Sequence, residues 1–420
     1  MIAEISTRGP LKGIFRVPGS KSFTNRALVC AALAQGNSQI RNASDSSDSA
    51  LMANGLNQLG VLVRRDDDEW EVCGTGGKLF APRYPIPVGN AGTTLRFFLS
   101  LASLADGTVQ FDAAPRMAER PNEELFAALR NLGVQATQVG NMPRYEVVGG
   151  GLSGGRLVID QARSSQFLSS ILLVAPYARG EVEIEVRGVK ASESYVRMTV
   201  AVMKEFGVGV ELEGAKSTYR VRAPQKYSSA EYTVEADASG ASYGLAAVAI
   251  GGGEILVEGM RLDSLQGDTG FVEILRAMGC HIAQEASGVR IMKRRPLTGV
   301  TVDMKAMPDI VPTLASVALF ANGPSRIRNV AHLRYKESDR LAAIGEEFRK
   351  LGADIAVLPD GLEITPSQLS GAQLDTYDDH RLAMSFALIG LRVPGVRIEN
   401  PECVTKSFPR FWEEFEGLTS

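Results

Sequence analysis

The sequence predicts an α/β protein made of two similar domains, each built from three copies of one structural unit. Two observations predict this fold class. Amphipathic helices, each closed by a glycine and followed by a short β-branched run, recur at an almost constant spacing along the 420 residues. Between them lie helices that are apolar on nearly all sides, and such helices must be surrounded by protein. Six copies of one unit account for both patterns.

The amphipathic helices set the period of the repeat. Their segments read LMANGLNQLGVLV, LFAALRNLGVQAT, TVAVMKEFGVGVEL, FVEILRAMGCHIA and LAAIGEEFRKLGADIAV. The closing glycines are 73, 74, 72 and 73 residues apart and are Gly60, Gly133, Gly207, Gly279 and Gly352. A glycine at this point predicts a left-handed residue that ends the helix. Chance similarity of common helix–glycine–strand segments is the alternative, and the regular spacing argues against it.

The apolar helices form the second set of copies. They read TNRALVCAALAQG, TTLRFFLSLASLADG, SSQFLSSILLVAPYARG, ASYGLAAVAIGGG, DIVPTLASVALFANG and HRLAMSFALIGLRVPG. Each unit therefore reads helix, strand, helix, strand, with further strand-like pieces such as RLVID and EILVEG. Three apolar helices can bundle inside each domain, with the sheets and the amphipathic helices outside them.

The starts of the apolar helices carry unexpected cations. Their polar lead-ins read GSKSFTNR, GNAGTTLR, ARSSQ, EADASGAS, MPDIVP and YDDHR. Capping explains the serines, threonines and aspartates, but it does not explain Lys21, Arg26, Arg96 and Arg381, because a cation opposes the positive end of the helix dipole. Helix N-termini bind anions readily. If the two domains face each other, six helix starts point into one cleft, which predicts one or two small substrates with several negative charges.

Further cations stand in compact polar segments. The segments PRMAERPNEEL, RYKESDRL and CVTKSFPRF supply Arg116, Arg120, Lys336, Arg340 and Lys406. For any one of these residues, a solvated surface charge is the alternative. A phosphate needs several cations because one ion pair does not offset its desolvation, so the set as a whole favours an anion site.

Bulk properties exclude several classes of function. The net charge of −3 gives no global basic field for nucleic acid. The apolar runs are too short to span a bilayer, and the first residues lack the apolar region of a signal peptide, so we expect a cytoplasmic protein without a membrane partner. Cysteines and histidines are scattered without CxxC or similar spacing, so we expect no metal. The segments GIFRVPGSKS and GGGLSG fail as phosphate or dinucleotide loops, by spacing and by the strand that follows, respectively.

Nine ordered motifs resemble a known family. They are PGSKSFTNR, GNAGTTLR, RMAERP, SSQFLSS, GDTG, MPD, YKESDRL, DDHRLAMS and TKSFP, and they cover nearly the whole chain. This set resembles the EPSP synthase family of enolpyruvyltransferases. The resemblance implies two domains, each of three βαβαββ-type units around buried helices (an inside-out α/β barrel), with the active site in the interdomain cleft. The domains expected are 20–235, and 1–19 with 236–420, joined by two hinge crossings near Gly19 and Ala236.

The resemblance also implies a reaction. The family transfers the enolpyruvyl group of phosphoenolpyruvate to the 5-hydroxyl of shikimate 3-phosphate and releases phosphate by addition–elimination. This step belongs to the shikimate pathway of aromatic amino acid biosynthesis, needs no cofactor, and is inhibited by glyphosate in competition with phosphoenolpyruvate. We expect a monomer that binds these two small molecules.

Matching the motifs residue by residue gives three candidate sets. The resemblance implies a catalytic set of Asp309, Glu337 and Lys21. It implies a phosphoenolpyruvate-binding set of Lys21, Gly92, Arg120, Gln166, Arg340, Arg381 and Lys406. It implies a shikimate 3-phosphate-binding set of Lys21, Ser22, Arg26, Ser164, Ser165, Gln166, Ser192, Asp309 and Lys336.

These residue types suit the chemistry. Addition delivers a proton to C3 of the enol phosphate and removes one from the attacking hydroxyl. Elimination reverses the direction of these proton transfers. Two carboxylates and a lysine held between phosphates can serve as the acid–base set. The alternatives are that Asp309 only caps a helix and that Glu337 is only a first-turn helix charge.

Departures from the family pattern and two other functions remain open. His332 stands where the family often has Asn, and Phe97 stands where it often has Pro. The related UDP-N-acetylglucosamine enolpyruvyltransferases are one alternative, but they carry Ala-Lys-Asn at the positions of Ser20 to Ser22 and a loop cysteine that FDAAPRMAERP lacks. A non-catalytic repeat scaffold that binds anions is the other alternative.

Overall fold

The computed structural model describes residues 1–188, 192–213 and 217–419. The chain divides into two compact units. We call Gly19–Val234 the central unit, and Met1–Pro18 together with Glu235–Ser420 the terminal unit. Each unit has its own hydrophobic core. Within the described ranges, no helix has both the length and the apolar character needed to cross a membrane.

The helices alternate between two types along the chain. Those with odd numbers are the apolar helices, and those with even numbers are the amphipathic ones. In chain order, α1 to α12 are Lys21–Leu33, Ser47–Gln58, Gly92–Leu101, Glu123–Asn131, Gln166–Val174, Glu193–Glu205, Ala238–Gly251, Phe271–Met278, Val311–Ala318, Arg340–Lys350, His380–Gly390 and Phe411–Gly417.

The apolar helices form the inside of each unit, as predicted. Helices α1, α3 and α5 contact one another in the central unit, and α7, α9 and α11 do so in the terminal unit. Every residue of α7, α9 and α11 is buried. Three buried hydroxyls pair across the helices, since the Thr313 hydroxyl lies 3.4 Å from that of Ser242 and 3.2 Å from that of Ser385. These three polar groups therefore have partners inside the core.

The five closing glycines have the predicted conformation. Their φ angles are 90° at Gly60, 81° at Gly133, 84° at Gly207, 119° at Gly279 and 83° at Gly352. A side chain at this angle is disfavoured. The glycines thus end each amphipathic helix and turn the chain into the following strand.

The strands are short and, within the described residues, belong to six small sheets. In chain order, β1 to β23 are Ile2–Glu4, Leu11–Arg16, Gln35–Arg41, Leu62–Asp66, Glu69–Thr75, Ile86–Gly89, Thr108–Ala113, Gln135–Gln138, Arg144–Val148, Gly155–Asp160, Val182–Arg187, Glu211–Glu213, Thr218–Val221, Glu231–Thr233, Gly253–Glu258, Cys280–Glu285, Gly288–Lys293, Thr301–Asp303, Ser325–Arg328, Asp354–Leu358, Gly361–Thr365, Gln373–Leu374 and Arg397–Glu399.

All six sheets share one topology. Each four-stranded sheet has a parallel pair followed by two antiparallel pairs, in the orders β14-β3-β5-β4, β6-β7-β9-β8, β10-β11-β13-β12, β2-β15-β17-β16 and β18-β19-β21-β20. The sixth sheet, β22-β23-β1, has the parallel pair and one antiparallel strand. The elements β6, α3, β7, α4, β8 and β9 follow one another along the chain and form one βαβαββ repeat. This order confirms the predicted sequence repeat.

Two first strands do not belong to the repeat that they precede along the chain. Strand β2 comes just before α1, yet it pairs in parallel with β15 of the terminal unit. Strand β14 comes just before α7, yet it pairs in parallel with β3 of the central unit. The two units have therefore exchanged their first strands, which the spacing of the sequence repeats does not reveal.

Candidate active site

The structure distributes the candidate residues over both units. The central unit carries Lys21, Ser22, Arg26, Gly92, Arg120, Ser164, Ser165, Gln166 and Ser192. The terminal unit carries Asp309, Lys336, Glu337, Arg340, Arg381 and Lys406.

Asp309 is the centre of a cluster in the terminal unit. It lies in the 3₁₀ helix Pro308–Ile310 that leads into α9. Its carboxylate accepts hydrogen bonds from Arg340 Nη1 at 3.0 Å and from Arg381 Nη2 at 2.9 Å, and Lys336 Nζ lies 3.7 Å away. The side chain is 16% exposed, so it is within reach of a ligand. Four segments of the chain thus bring one carboxylate and three cations together.

Arg340 joins Asp309 to two further carboxylates. It is the first residue of α10, and its side chain is 1% exposed. It donates to Glu337 Oε2 at 3.0 Å and to both oxygens of Asp379, at 2.8 and 3.1 Å. A planar guanidinium with five donors can serve three acceptors at once. Burial alone would lower the pKa of Arg340, but the charges of Asp379, Glu337 and Asp309 outweigh it and raise the pKa.

The cations also control the protonation of Asp309. Burial by itself would raise the pKa of this carboxyl group. Arg381, Lys336 and Arg340 outweigh burial and hold the pKa of Asp309 well below its usual range. Asp309 is therefore ionised at neutral pH. An anion that binds to the same cations would weaken their effect and raise the pKa of Asp309.

The helix starts around this cluster fix the remaining residues. Arg381 lies in the first turn of α11, where its backbone N–H donates to Asp379 Oδ1 at 3.0 Å. Lys406 ends the 3₁₀ helix Pro401–Lys406, which packs against α11.

The structural alternatives for the two carboxylates are wrong. The N-cap of α9 is Ile310, and Asp309 bonds to arginines. Glu337 lies before Asp339, the N-cap of α10, and so it is outside the helix. Both carboxylates are instead parts of the cation cluster.

In the central unit, Lys21 has a carboxylate partner. It is the first residue of α1, and its Nζ lies 3.0 Å from Asp48 Oδ2. The two side chains are 13% and 5% exposed. A ligand was the expected negative partner of this helix-start cation, whereas the protein supplies at least one partner itself.

Arg26 is held by protein acceptors at all three guanidinium nitrogens. It donates to the Ser22 carbonyl at 2.7 Å, to Thr199 Oγ1 at 2.7 Å and to the Tyr195 carbonyl at 3.2 Å. Burial lowers its pKa to about 10. Phe97 faces this guanidinium at 5.4 Å, so the departure from the family's usual Pro places a ring against the cation. Arg26 therefore ties α1 to α6.

Gln166 is held in place by Arg96, which the sequence analysis identified only as a cation at a helix start. Arg96 Nη1 donates to Gln166 Oε1 at 2.5 Å, and Gln166 Nε2 donates to Thr93 Oγ1 at 3.0 Å. Arg96 also donates to Asn122 Oδ1 at 3.0 Å and stacks on Phe167 at 5.1 Å. Arg96 thereby orients the amide of Gln166.

The remaining central residues lie at helix starts. Ser164 Oγ accepts from the Gln166 N–H at 3.2 Å, and Ser165 is the N-cap of α5. Ser192 is the N-cap of α6 and has a left-handed backbone with a φ of 57°.

Gly92 and Arg120 are in close contact. A Cβ atom at Gly92 would lie 2.6 Å from Arg120 Nη2 and 2.8 Å from its Cζ. Arg120 is 4% exposed, and its Nη1 lies 3.4 Å from the Asn90 carbonyl. Glycine at the start of α3 therefore leaves room for this guanidinium, which would have to shift if a Cβ atom were added.

Sequence reasoning missed three carboxylates of these clusters. Asp48 and Asp379 lie at helix starts, where aspartate is expected as a cap. Asp379 does cap α11, since its side chain accepts a hydrogen bond from the Arg381 N–H. Asp268, in the GDTG motif, is 3% exposed and accepts a hydrogen bond from the Ser239 hydroxyl. Burial and then the charge of Asp309 raise the pKa of Asp268 to about 7. A signal was present in the motifs that carry Asp379 and Asp268, but capping explained Asp379 equally well.

His332, whose contact with substrate the sequence left open, is uncharged at neutral pH. It is 8% exposed, and burial followed by the charge of Lys336 lowers its pKa to about 4. Within the part of the chain that the structure describes, no group of three or more His, Cys, Asp or Glu side chains is placed to hold a metal ion.

Two solved structures that share this fold are an EPSP synthase and an enolpyruvyl transferase. EPSP synthase from Acinetobacter baumannii is 26% identical, with a TM-score of 0.83 over 100% of this chain and 98% of that chain. The enolpyruvyl transferase NikO from Streptomyces tendae shares the fold at 20% identity, with a TM-score of 0.78 over 99% of this chain and 97% of that chain. The fold is thus that of the enolpyruvyl transferases.

Sequence comparison identifies the family within this class. The sequence model described as EPSP synthase (3-phosphoshikimate 1-carboxyvinyltransferase) matches residues 5–415. The 3-phosphoshikimate 1-carboxyvinyltransferase of Syntrophobacter fumaroxidans is 46% identical over 98% of this chain and 99% of its own length. That of Methanoculleus marisnigri is 43% identical over 99% of both chains. The chain belongs to the EPSP synthase family.

Proposed function

We propose that the protein transfers the enolpyruvyl group of phosphoenolpyruvate to the 5-hydroxyl of shikimate 3-phosphate and releases phosphate. The observation that carries this proposal is the Asp309 cluster, in which a partly exposed carboxylate lies between Arg340, Arg381 and Lys336. Cations at this density suit phosphorylated, carboxylated substrates. A carboxylate among them suits the removal of a hydroxyl proton.

The pKa of Asp309 connects substrate binding to catalysis. A general base works best with a pKa near the operating pH, and the cations hold Asp309 far below that. Substrate anions that bind Arg381 and Lys336 would offset these charges, so the pKa of Asp309 would rise toward that of an effective base. We propose that Asp309 accepts the proton of the 5-hydroxyl, and that Glu337 and Lys21 carry the remaining proton transfers.

The candidate sets extend this proposal to both units. Phosphoenolpyruvate is held by Lys21, Gly92, Arg120, Gln166, Arg340, Arg381 and Lys406. Shikimate 3-phosphate is held by Lys21, Ser22, Arg26, Ser164, Ser165, Gln166, Ser192, Asp309 and Lys336. The hydrogen bonds that orient Gln166 and the close approach of Arg120 to Gly92 support these assignments. The cleft, the domain boundaries at 20–235, the hinge crossings, the monomeric state and the cytoplasmic location remain predictions.

A phosphate-release assay tests the proposed reaction. We expect the protein to release phosphate from phosphoenolpyruvate only when shikimate 3-phosphate is present, and not when UDP-N-acetylglucosamine replaces it. The absence of a loop cysteine before Arg120 favours this outcome. Turnover with the sugar nucleotide alone would overturn the assignment of the acceptor, and no turnover with either acceptor would support an anion-binding scaffold.

Replacing Gly92 with alanine is expected to weaken phosphoenolpyruvate binding. The added methyl group would lie within 3 Å of the Arg120 guanidinium, so the guanidinium must shift by several tenths of an ångström. We expect the KM for phosphoenolpyruvate to rise about 10-fold, since displacements of this size disturb substrate positioning. The inhibition constant of glyphosate should rise as well.

Steady-state kinetics with a matched variant checks this expectation. At Gly209 an added Cβ would meet nothing within 4 Å, and its φ is not in the left-handed region. The Gly209→Ala protein should therefore keep the wild-type KM. Equal KM values for phosphoenolpyruvate in Gly92→Ala and Gly209→Ala would show that Arg120 does not bind this substrate.

A further inference from the structure

The segment 375–379, which leads into α11, has an unfavourable backbone. Tyr377 and Asp378 have φ angles of 52° and 54°, so two consecutive residues with side chains are left-handed. Such residues persist only where surrounding contacts hold them. The next residue, Asp379, accepts from Arg340 and from the Arg381 N–H. Whatever holds this turn therefore also places two groups of the Asp309 cluster.

Glu347 supplies contacts that hold the turn. Its side chain is fully buried in α10. Its carboxylate accepts a hydrogen bond from the Asp375 N–H at 3.0 Å and from the Tyr377 hydroxyl at 2.8 Å. Lys350 Nζ donates to both of its oxygens, at 2.7 and 2.8 Å. A buried carboxylate is costly unless it is paired and hydrogen-bonded, and here two of its three partners belong to the turn.

Arg340 and Glu347 hold the turn from one face of the same helix. They are seven residues apart on α10, which is two turns of an α-helix and brings them to the same side. Arg340 binds Asp379 at the end of the segment, and Glu347 binds Asp375 and Tyr377 nearer its start. Helix α10 thus fixes both ends of the segment.

We propose that Glu347 is a positioning residue for the reaction, which sets the Arg381 guanidinium against Asp309 by holding the turn 375–379. The proposal rests on the proposed function, in which Arg381 binds phosphoenolpyruvate. Glu347 touches no reacting atom in this assignment, and its influence passes through Tyr377 and Asp379. Loss of its hydrogen bonds would let the turn relax toward a less strained backbone and would move Arg381.

The test compares Glu347→Gln and Tyr377→Phe with wild-type protein. Glutamine keeps the size of the side chain but replaces one acceptor oxygen with a donor, and phenylalanine removes only the hydroxyl. We expect each variant to lower kcat/KM for phosphoenolpyruvate by about 10- to 100-fold, since small misplacements of binding groups have effects of this size. The loss should appear mainly in the KM for phosphoenolpyruvate, with little change in the KM for shikimate 3-phosphate.

A double variant and a surface control separate positioning from general destabilisation. Because both variants remove the hydrogen bond between Glu347 and Tyr377, Glu347→Gln combined with Tyr377→Phe should lose less than the sum of the two single losses. Glu273, on α8, is 71% exposed, so Glu273→Gln should match the wild type. A merely structural role would lower the yield of active enzyme and change both KM values equally or not at all.

The outcomes distinguish this proposal from the proposed function. If the wild-type protein shows no turnover with the two substrates, the proposed function fails. If the wild type turns over and both variants keep its KM for phosphoenolpyruvate, only the role of Glu347 is overturned. Should Glu347→Gln not fold, Tyr377→Phe decides alone, because it leaves the carboxylate and Lys350 in place.

Discussion

Asp309→Asn is expected to lower kcat by about 10²- to 10⁴-fold, the range usually contributed by one acid–base group. Asparagine keeps the shape of the side chain but cannot accept the proton of the 5-hydroxyl. The KM for phosphoenolpyruvate should not rise, because the change removes a negative charge from among three cations. A fall in kcat without a rise in KM would mark a group that acts in the transition state.

The measurement is steady-state phosphate release, with circular dichroism to show that the fold survives. Asp303 offers a matched control six residues earlier, since it is exposed and its carboxylate accepts hydrogen bonds from the Lys305 N–H and from Asn329 Nδ2. Asp303→Asn should therefore keep the wild-type kcat. An unchanged kcat in Asp309→Asn would show that Asp309 does not accept the proton of the 5-hydroxyl and would remove the basis for the proposed mechanism.

The repeat architecture could be predicted because its signals are local. A glycine that ends a helix acts through its own backbone, so Gly60, Gly133 and their equivalents give the period directly. An all-apolar sequence likewise indicates a buried helix whatever its neighbours are. The spacing of the repeats gives no sign of the exchange of β2 and β14, because strand pairing across such separations leaves no trace in it. The expected domain bounds, which assign the two strands in this way, came from the family resemblance alone.

The sequence predicts which residues belong to the candidate site better than it predicts which residues they contact. The motifs identify Lys21, Arg340 and Asp309 as candidates, but a cation in a sequence does not indicate which acceptor it meets. Lys21 and Asp48, which form an ion pair, are 27 residues apart in the sequence, and Arg381 and Asp309 are 72 residues apart. Capping also masked Asp379, since one aspartate both caps α11 and binds Arg340.

Arg340→Leu is expected to destabilise the protein and to abolish activity. It would leave the carboxylates of Asp309, Glu337 and Asp379 without the guanidinium that now bonds to each of them. Removing one partner from a buried ion pair typically costs about 3–5 kcal/mol of stability, because the remaining charge stays buried. Urea-induced unfolding measures this difference. As a control, Arg326→Leu breaks a half-exposed pair with Glu363 at 3.8 Å, which should cost no more than about 1 kcal/mol.

The destabilisation caused by Arg340→Leu should become smaller as the pH falls. Arg340 is one of the cations that hold the pKa of Asp309 well below the ordinary value of 3.8. The stability that comes from this shift is fully present above the unfolded-state pKa and is lost as the pH falls toward the folded-state pKa. The deficit of Arg340→Leu should thus be largest near neutral pH and should shrink below about pH 4.

Arg340→Lys separates the effect of charge from that of geometry. An ammonium group restores one positive charge but cannot reproduce the planar fork that serves three carboxylates. We expect this variant to recover part of the lost stability while its kcat/KM stays well below the wild-type value, because Asp309 and Asp379 are no longer fixed together. If lysine restores both stability and activity, the charge of Arg340 is sufficient, and the geometry of its hydrogen bonds does not position the site.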